Sequence, residues 1–185
     1  MRKKTKLQTN INKAYIIKLD ECKYIGGDIN SSTYLMKDRK VVKIYKDPYK
    51  CKKDFDLLTS LQVVNITPKI YNFCGHYIIR EYIKGISLNN YIKKNGLNQM
   101  LSYKLIEFMD KIYNSNTKNI AINSNNIFLK SDDTLILMDA QYNTNKINIF
   151  YELFEDFKNL KIIGLFLENI KSYNLDLYKK WTNLK

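Results

Sequence analysis

Val41-Val42-Lys43-Ile44-Tyr45-Lys46-Asp47-Pro48 is the stretch from which the fold is read. Three β-branched residues and a tyrosine around one lysine make a strand. Asp47-Pro48 then opens a helix, because a proline in the first helical turn lacks only an N–H that has no partner there. Upstream, Tyr15-Ile16-Ile17 and Thr33-Tyr34-Leu35-Met36 have the same strand composition, with Gly26-Gly27 and Asp38-Arg39 at the breaks. Downstream, Phe55, Leu58 and Leu61 return at helical spacing. Two apolar runs, 70–73 and 77–83, flank Cys74-Gly75-His76 and predict a hairpin.

After Gly85 the pattern changes. Ser87 predicts the cap of a short helix to Lys94, and Gly96 stops it. Leu101, Leu105, Phe108 and Ile112 share one face of a second helix. Residues 127–129 and 135–138 read as short strands around Ser131-Asp132-Asp133, and 147–181 as helical with one break at 172–174. Residues 1–12 read as a flexible basic arm. The expected architecture is α+β and bilobal: a strand-rich lobe with one helix over 13–83, then a short, mostly helical lobe over 84–185.

A chain of 185 residues suits one domain or two small lobes. Apolar residues at 45% and charged residues at 26% are ordinary globular usage and exclude wholesale disorder. The apolar runs are too short to span a bilayer, so no transmembrane segment is expected. The basic first residues lead into polar ones, so no secretory signal is expected either. Cys22, Cys51 and Cys74 have no CxxC spacing, which points to reduced thiols and a cytoplasmic location. The net charge of +13 raises nucleic acid as a partner. Lysine is spread along the chain beside abundant Asn, Ile and Tyr, as AT-rich codons would give, and a solvated Lys-rich surface is the simpler reading. Dense runs occur only at 2–6 and 46–53.

In this order the segments resemble the protein-kinase fold, and more closely the small bacterial Ser/Thr-kinase-like proteins with a shortened second lobe. Ile25-Gly26-Gly27-Asp28-Ile29-Asn30-Ser31 stands where that family has its Gly-rich phosphate loop. Val41-Val42-Lys43-Ile44 resembles the strand whose Lys holds the α- and β-phosphates, and Asp54 stands where its Glu partner would be. Arg80-Glu81-Tyr82-Ile83-Lys84-Gly85 resembles the hinge, with the backbone of Glu81 and Ile83 toward the adenine. Asn126-Ile127-Phe128-Leu129 resembles the end of the catalytic loop, and Leu135-Ile136-Leu137-Met138-Asp139 the strand that ends in the magnesium-binding Asp. The resemblance implies an ATP site made by Ile25, Gly26, Gly27, Thr33, Val41, Lys43, Asp54, Glu81, Ile83 and Phe128, with Asn126 and Asp139 on Mg²⁺.

Chemistry is where the chain departs from the family. An Asp five residues before the catalytic-loop Asn accepts the substrate's proton in active relatives, and here that position is Ala121. Losing general-base help costs roughly 10²–10⁴ in rate. Asp28 and Ser31 replace two loop glycines, and Asp139-Ala140-Gln141 lacks the usual Phe-Gly. The resulting expectation is a pseudokinase, or a very weak phosphotransferase, that holds ATP and Mg²⁺ weakly and acts through a protein partner. Two alternatives stay open. One is an active atypical Ser/Thr protein kinase transferring the ATP γ-phosphate. The other is a basic nucleic-acid-binding module using 46–53 and the arm. The chain's one histidine, His76, stands in a turn, which argues against Ser/His/Asp catalysis.

Overall fold

The computed structural model describes residues 17–115, 117, 120–142 and 149–182. The chain divides into two units, Met1–Phe55 with Lys69–Tyr82, and Asp56–Pro68 with Ile83–Lys185. The architecture is α+β, strand-rich in the first unit and mostly helical in the second, in the element order that the kinase-like resemblance implies.

The first unit is an antiparallel sheet of β1 (Lys23–Gly27), β2 (Ser31–Leu35), β3 (Lys40–Tyr45), β4 (Ile70–Cys74) and β5 (Tyr77–Glu81), ordered β1-β2-β3-β5-β4. Alternation along β3 sends Val41, Lys43 and Tyr45 to one face and Val42 to the other. Helix α1 (Pro48–Leu61) starts at the proline, as the sequence predicts. Its N-cap is Asp47, whose carboxylate accepts the Tyr49 N–H at 2.9 Å. Tyr45, Cys51 and Ile78 form the core of this unit, with Phe55 and Phe73 stacked beside them at 4.3 Å between centroids.

Two strand expectations change here. Ile17 lies in no regular element, and Tyr15 and Ile16 are outside the described residues, as is the arm at 1–12. The first strand instead runs through Gly26-Gly27, where the sequence placed a break. It tolerates them because the register slips at Gly26, whose φ of 154° is one that side-chain-bearing residues rarely adopt. At Gly27, a Cβ would meet the Ser31 carbonyl oxygen at 2.5 Å.

The second unit is built around α3 (Gln99–Asn114), whose Leu101, Leu105, Phe108 and Ile112 are all buried. Before it comes α2 (Leu88–Asn95), capped by Ser87 Oγ and ended at Gly96 with φ 73°. Strand β6 (Gly85–Ser87) pairs with β8 (Ile127–Lys130), which pairs with β9 (Leu135–Leu137); β7 (Ile120–Ala121) pairs with β10 (Gln141–Tyr142). Residues 56–68 group with this unit because Leu57, Leu61 and Ile66 bury their side chains in its core. The C-terminal stretch forms three helices, α4 (Tyr151–Asn159), α5 (Ile163–Tyr173) and α6 (Leu175–Thr182), with Phe150, Phe157, Phe166 and Trp181 in the core. The break near 174 is present. A second break was not anticipated, because Lys161, and not a glycine, takes the left-handed conformation (φ 58°) between α4 and α5. Ile147, where the helical reading began, lies outside the described residues.

Gly85 explains why so short a strand as β6 can pair at all. A Cβ there would stand 2.7 Å from the Leu129 carbonyl oxygen, so only glycine lets β6 approach β8. Gly85→Ala should cost about 1–3 kcal/mol, read as a lowered urea midpoint. An unchanged midpoint would show that the β6–β8 spacing is not constrained.

Candidate functional site

A lysine in a strand is ordinarily solvated, but Lys43 is only 8% exposed. Sheet register places Gly26 opposite Thr33, Thr33 opposite Lys43, and Lys43 opposite Ile78. The Lys43 ammonium lies 3.6 Å from Asp54 Oδ2 and 5.1 Å from the centre of the Tyr45 ring. Asp54 therefore reaches its partner from α1 although it is one methylene shorter than the glutamate of the kinase-like pattern. Cys51, one turn before Asp54, has its thiol pushed up to about 12 by burial and then by the Asp54 carboxylate, with Lys43 opposing. It is an inert core thiol.

Asp28 does not aim its carboxylate out of the loop. Its Oδ1 accepts the N–H groups of Asn30 at 2.6 Å and Ser31 at 2.8 Å, an Asx turn that shapes the β1–β2 connection. Desolvation raises its pKa, but these hydrogen bonds and the charge of Lys43 outweigh that, and the carboxyl sits below the ordinary 3.8. The sign follows: a depressed carboxyl stabilises the folded loop above its ordinary pKa, and that contribution is lost as pH falls through the lowered value. The same unit holds Val41 (buried) and Ile25 (42% exposed, on β1). Glu81, at the end of β5, donates its N–H to the Lys69 carbonyl at 2.8 Å.

The second unit carries Ile83, Phe128, Asn126, Asp139 and Ala121. Ile83 is buried. Phe128 lies on β8 opposite Ser87 and Ile136, on the face away from Ile127 and Leu129, which enter the core. The Asn126 carbonyl accepts the Met138 N–H at 2.8 Å, so Asn126 and Asp139 stand at neighbouring positions where the β8–β9 ladder ends. An amide oxygen and a carboxylate oxygen are hard donors of the kind magnesium takes, usually with water and phosphate completing its shell. Among the described residues no group of three or more His, Cys, Asp or Glu forms a ready-made metal site.

Ala121 is 5% exposed on β7, opposite Gln141 of β10, and its side chain is a methyl group. Yet a carboxylate does reach this loop, from a residue that local sequence reading missed. Asp156 of α4 accepts both the N–H and the hydroxyl of the fully buried Ser124 on Oδ2, each at 2.7 Å. Asn123 Oδ1 accepts the N–H groups of Asn125 and Asn126 at 3.1 and 3.2 Å, completing the turn. The two partners are 32 residues apart, and no local pattern could pair them.

No family model matches the chain, and no curated protein does. Of the 1163 solved chains that match, one is the ternary complex of streptomycin, ATP and APH(2")-IIa. It is 25% identical, with a TM-score of 0.41, over 49% of this chain and 34% of that one. The chain thus spans about a third of that protein's length. This is a partial likeness, and the functional reading rests on the chain's own residues.

The Lys43–Asp54 pair has a measurable signature. Asp54→Ala should destabilise the protein by about 1–3 kcal/mol, less than the roughly 3–5 of a fully buried pair. In a double-mutant cycle, Lys43→Met with Asp54→Leu should cost clearly less than the two single changes together. Additivity would show that the two side chains are not coupled.

Proposed function

We propose that the chain is a kinase-like nucleotide binder that lacks general-base catalysis: a pseudokinase, or a very weak phosphotransferase, that acts through a protein partner. The observation that carries this is the buried Lys43–Asp54 pair, 3.6 Å apart on β3 and α1. Keeping an ammonium this buried serves the core poorly and serves a phosphate well. In the first unit, Lys43 would take the α- and β-phosphates, held in direction by Asp54, and the backbone at Gly26-Gly27, at the end of β1, would face them. In the second unit, Asn126 and Asp139 would hold Mg²⁺, which offsets the charge of the triphosphate when bound. Within the same first unit, Ile25, Thr33 and Val41 would give the adenine apolar contact, and the backbone of Glu81 would meet its polar edge.

Transfer is the weak step. A hydroxyl nucleophile near Ala121 finds a methyl group, and Asp156 already accepts two hydrogen bonds from Ser124. A site that binds the nucleotide without consuming it is suited to reporting or fixing a conformation to a partner.

Incubation with γ-labelled ATP and Mg²⁺ should therefore leave transfer and hydrolysis at or barely above background, and Ala121→Asp should raise them by roughly tenfold or more. Multiple turnovers by the wild type, abolished by Asp139→Asn, would establish an active kinase-like enzyme instead.

A further inference from the structure

Lysine is not distributed evenly between the two units. Met1–Phe55 with Lys69–Tyr82 holds 17 Lys and Arg against 7 Asp and Glu, a net +10, of which five basic residues fall in 1–16, outside the described residues; the rest of the chain holds 14 against 11, a net +3. AT-rich codons raise lysine throughout a chain. They do not by themselves put 17 basic residues in 69 positions and 14 in 116 while the acidic fraction stays about equal. The sequence-based reading of the charge as compositional is thus incomplete, and a concentrated positive unit is the footprint of a polyanionic partner.

On the described surface the excess is dense over the first turns of α1. Lys46, Lys50 and Tyr49 are exposed, Tyr49 at 66%, and positions 46, 49, 50 and 53 recur at i, i+3, i+4 and i+7, one face of the helix start; Lys52 instead lays its ammonium over Phe55 and Phe73. Lys53 Nζ lies 4.4 Å from the centre of the Tyr49 ring. Asp47, the acid within this run, turns its carboxylate to its own helix cap. An exposed ring set among ammonium groups offers stacking and phosphate contacts side by side, which is what a strand with unpaired bases uses. A duplex hides its base faces. The chain's four arginines are few for reading base edges, so recognition would tolerate any sequence.

We propose that the first unit binds single-stranded nucleic acid, with Lys46, Lys50 and Lys53 on phosphates and a base stacked on Tyr49. This is independent of the nucleotide-binding reading and uses other residues.

Fluorescence anisotropy of the full chain with labelled 20-mers of dT and U tests it. Binding should be evident at 50 mM salt and, for three phosphate contacts, roughly 20-fold weaker at 200 mM. Lys46→Glu with Lys50→Glu should weaken it at least tenfold. Tyr49→Ala should weaken it about fivefold or more without changing the salt slope. Lys179→Glu with Lys180→Glu, an equal charge change on α6, should leave it unchanged, as should excess ATP with Mg²⁺. The proposal is overturned by absent binding, by equal losses in the two charge variants, by an inert Tyr49→Ala, by competition from ATP, or by equal Tyr49-dependent binding to phosphatidylserine vesicles.

Discussion

An ammonium group that is 8% exposed must be paired, because removing a charge from water costs several kcal/mol unless an opposite charge and hydrogen bonds replace the solvent. In this chain that requirement ties β3 to α1 through Lys43 and Asp54. The tie has consequences on both sides. Asp47-Pro48 must start the helix immediately after the strand, so that Asp54 arrives two turns later on the inner face. Cys51 and Phe55, which flank Asp54 on that face, then close over Tyr45, Ile78 and Phe73. Even the β1–β2 loop answers to this charge, since Lys43 helps to keep Asp28 ionised while backbone N–H groups hold its carboxylate.

The second unit solves a different problem. Among the described residues its core of Leu, Ile and five large aromatic side chains needs no charge, and polar groups near β8 fix a loop. Asp156, Ser124 and Asn123 hold the turn that leads to Asn126, and the ladder carries that placement on to Asp139. Position 121 of the same unit is a buried alanine on β7.

Local chemistry made much of this legible in the sequence. The strand around Lys43, the helix start at Pro48, the cap at Ser87, the stop at Gly96 and the α3 stripe all follow from signals within a few residues of each other. Three kinds of feature were not legible. Very short strands such as β6 and β7 have too few residues for alternation to show, and exist only because a partner strand is near. Lys161 breaks the C-terminal helix in a conformation usually given to glycine, so no breaker residue announces it. Asp156 meets Ser124 only because α4 folds back on the loop. Within the candidate site, spacing put Lys43 and Asp54 within reach of one another, but the use of Asp28 as a turn-former rather than a repelling charge needed the geometry.

In the proposed reading, Lys43 and Asp139 serve a nucleotide without general-base catalysis. Calorimetric titration with ATP, with and without Mg²⁺, tests this most directly, using Lys43→Ala and Asp139→Ala as controls. The account predicts a saturable heat that strengthens with Mg²⁺ and disappears in both variants. No heat up to millimolar ATP, or a heat indifferent to both substitutions, would contradict it.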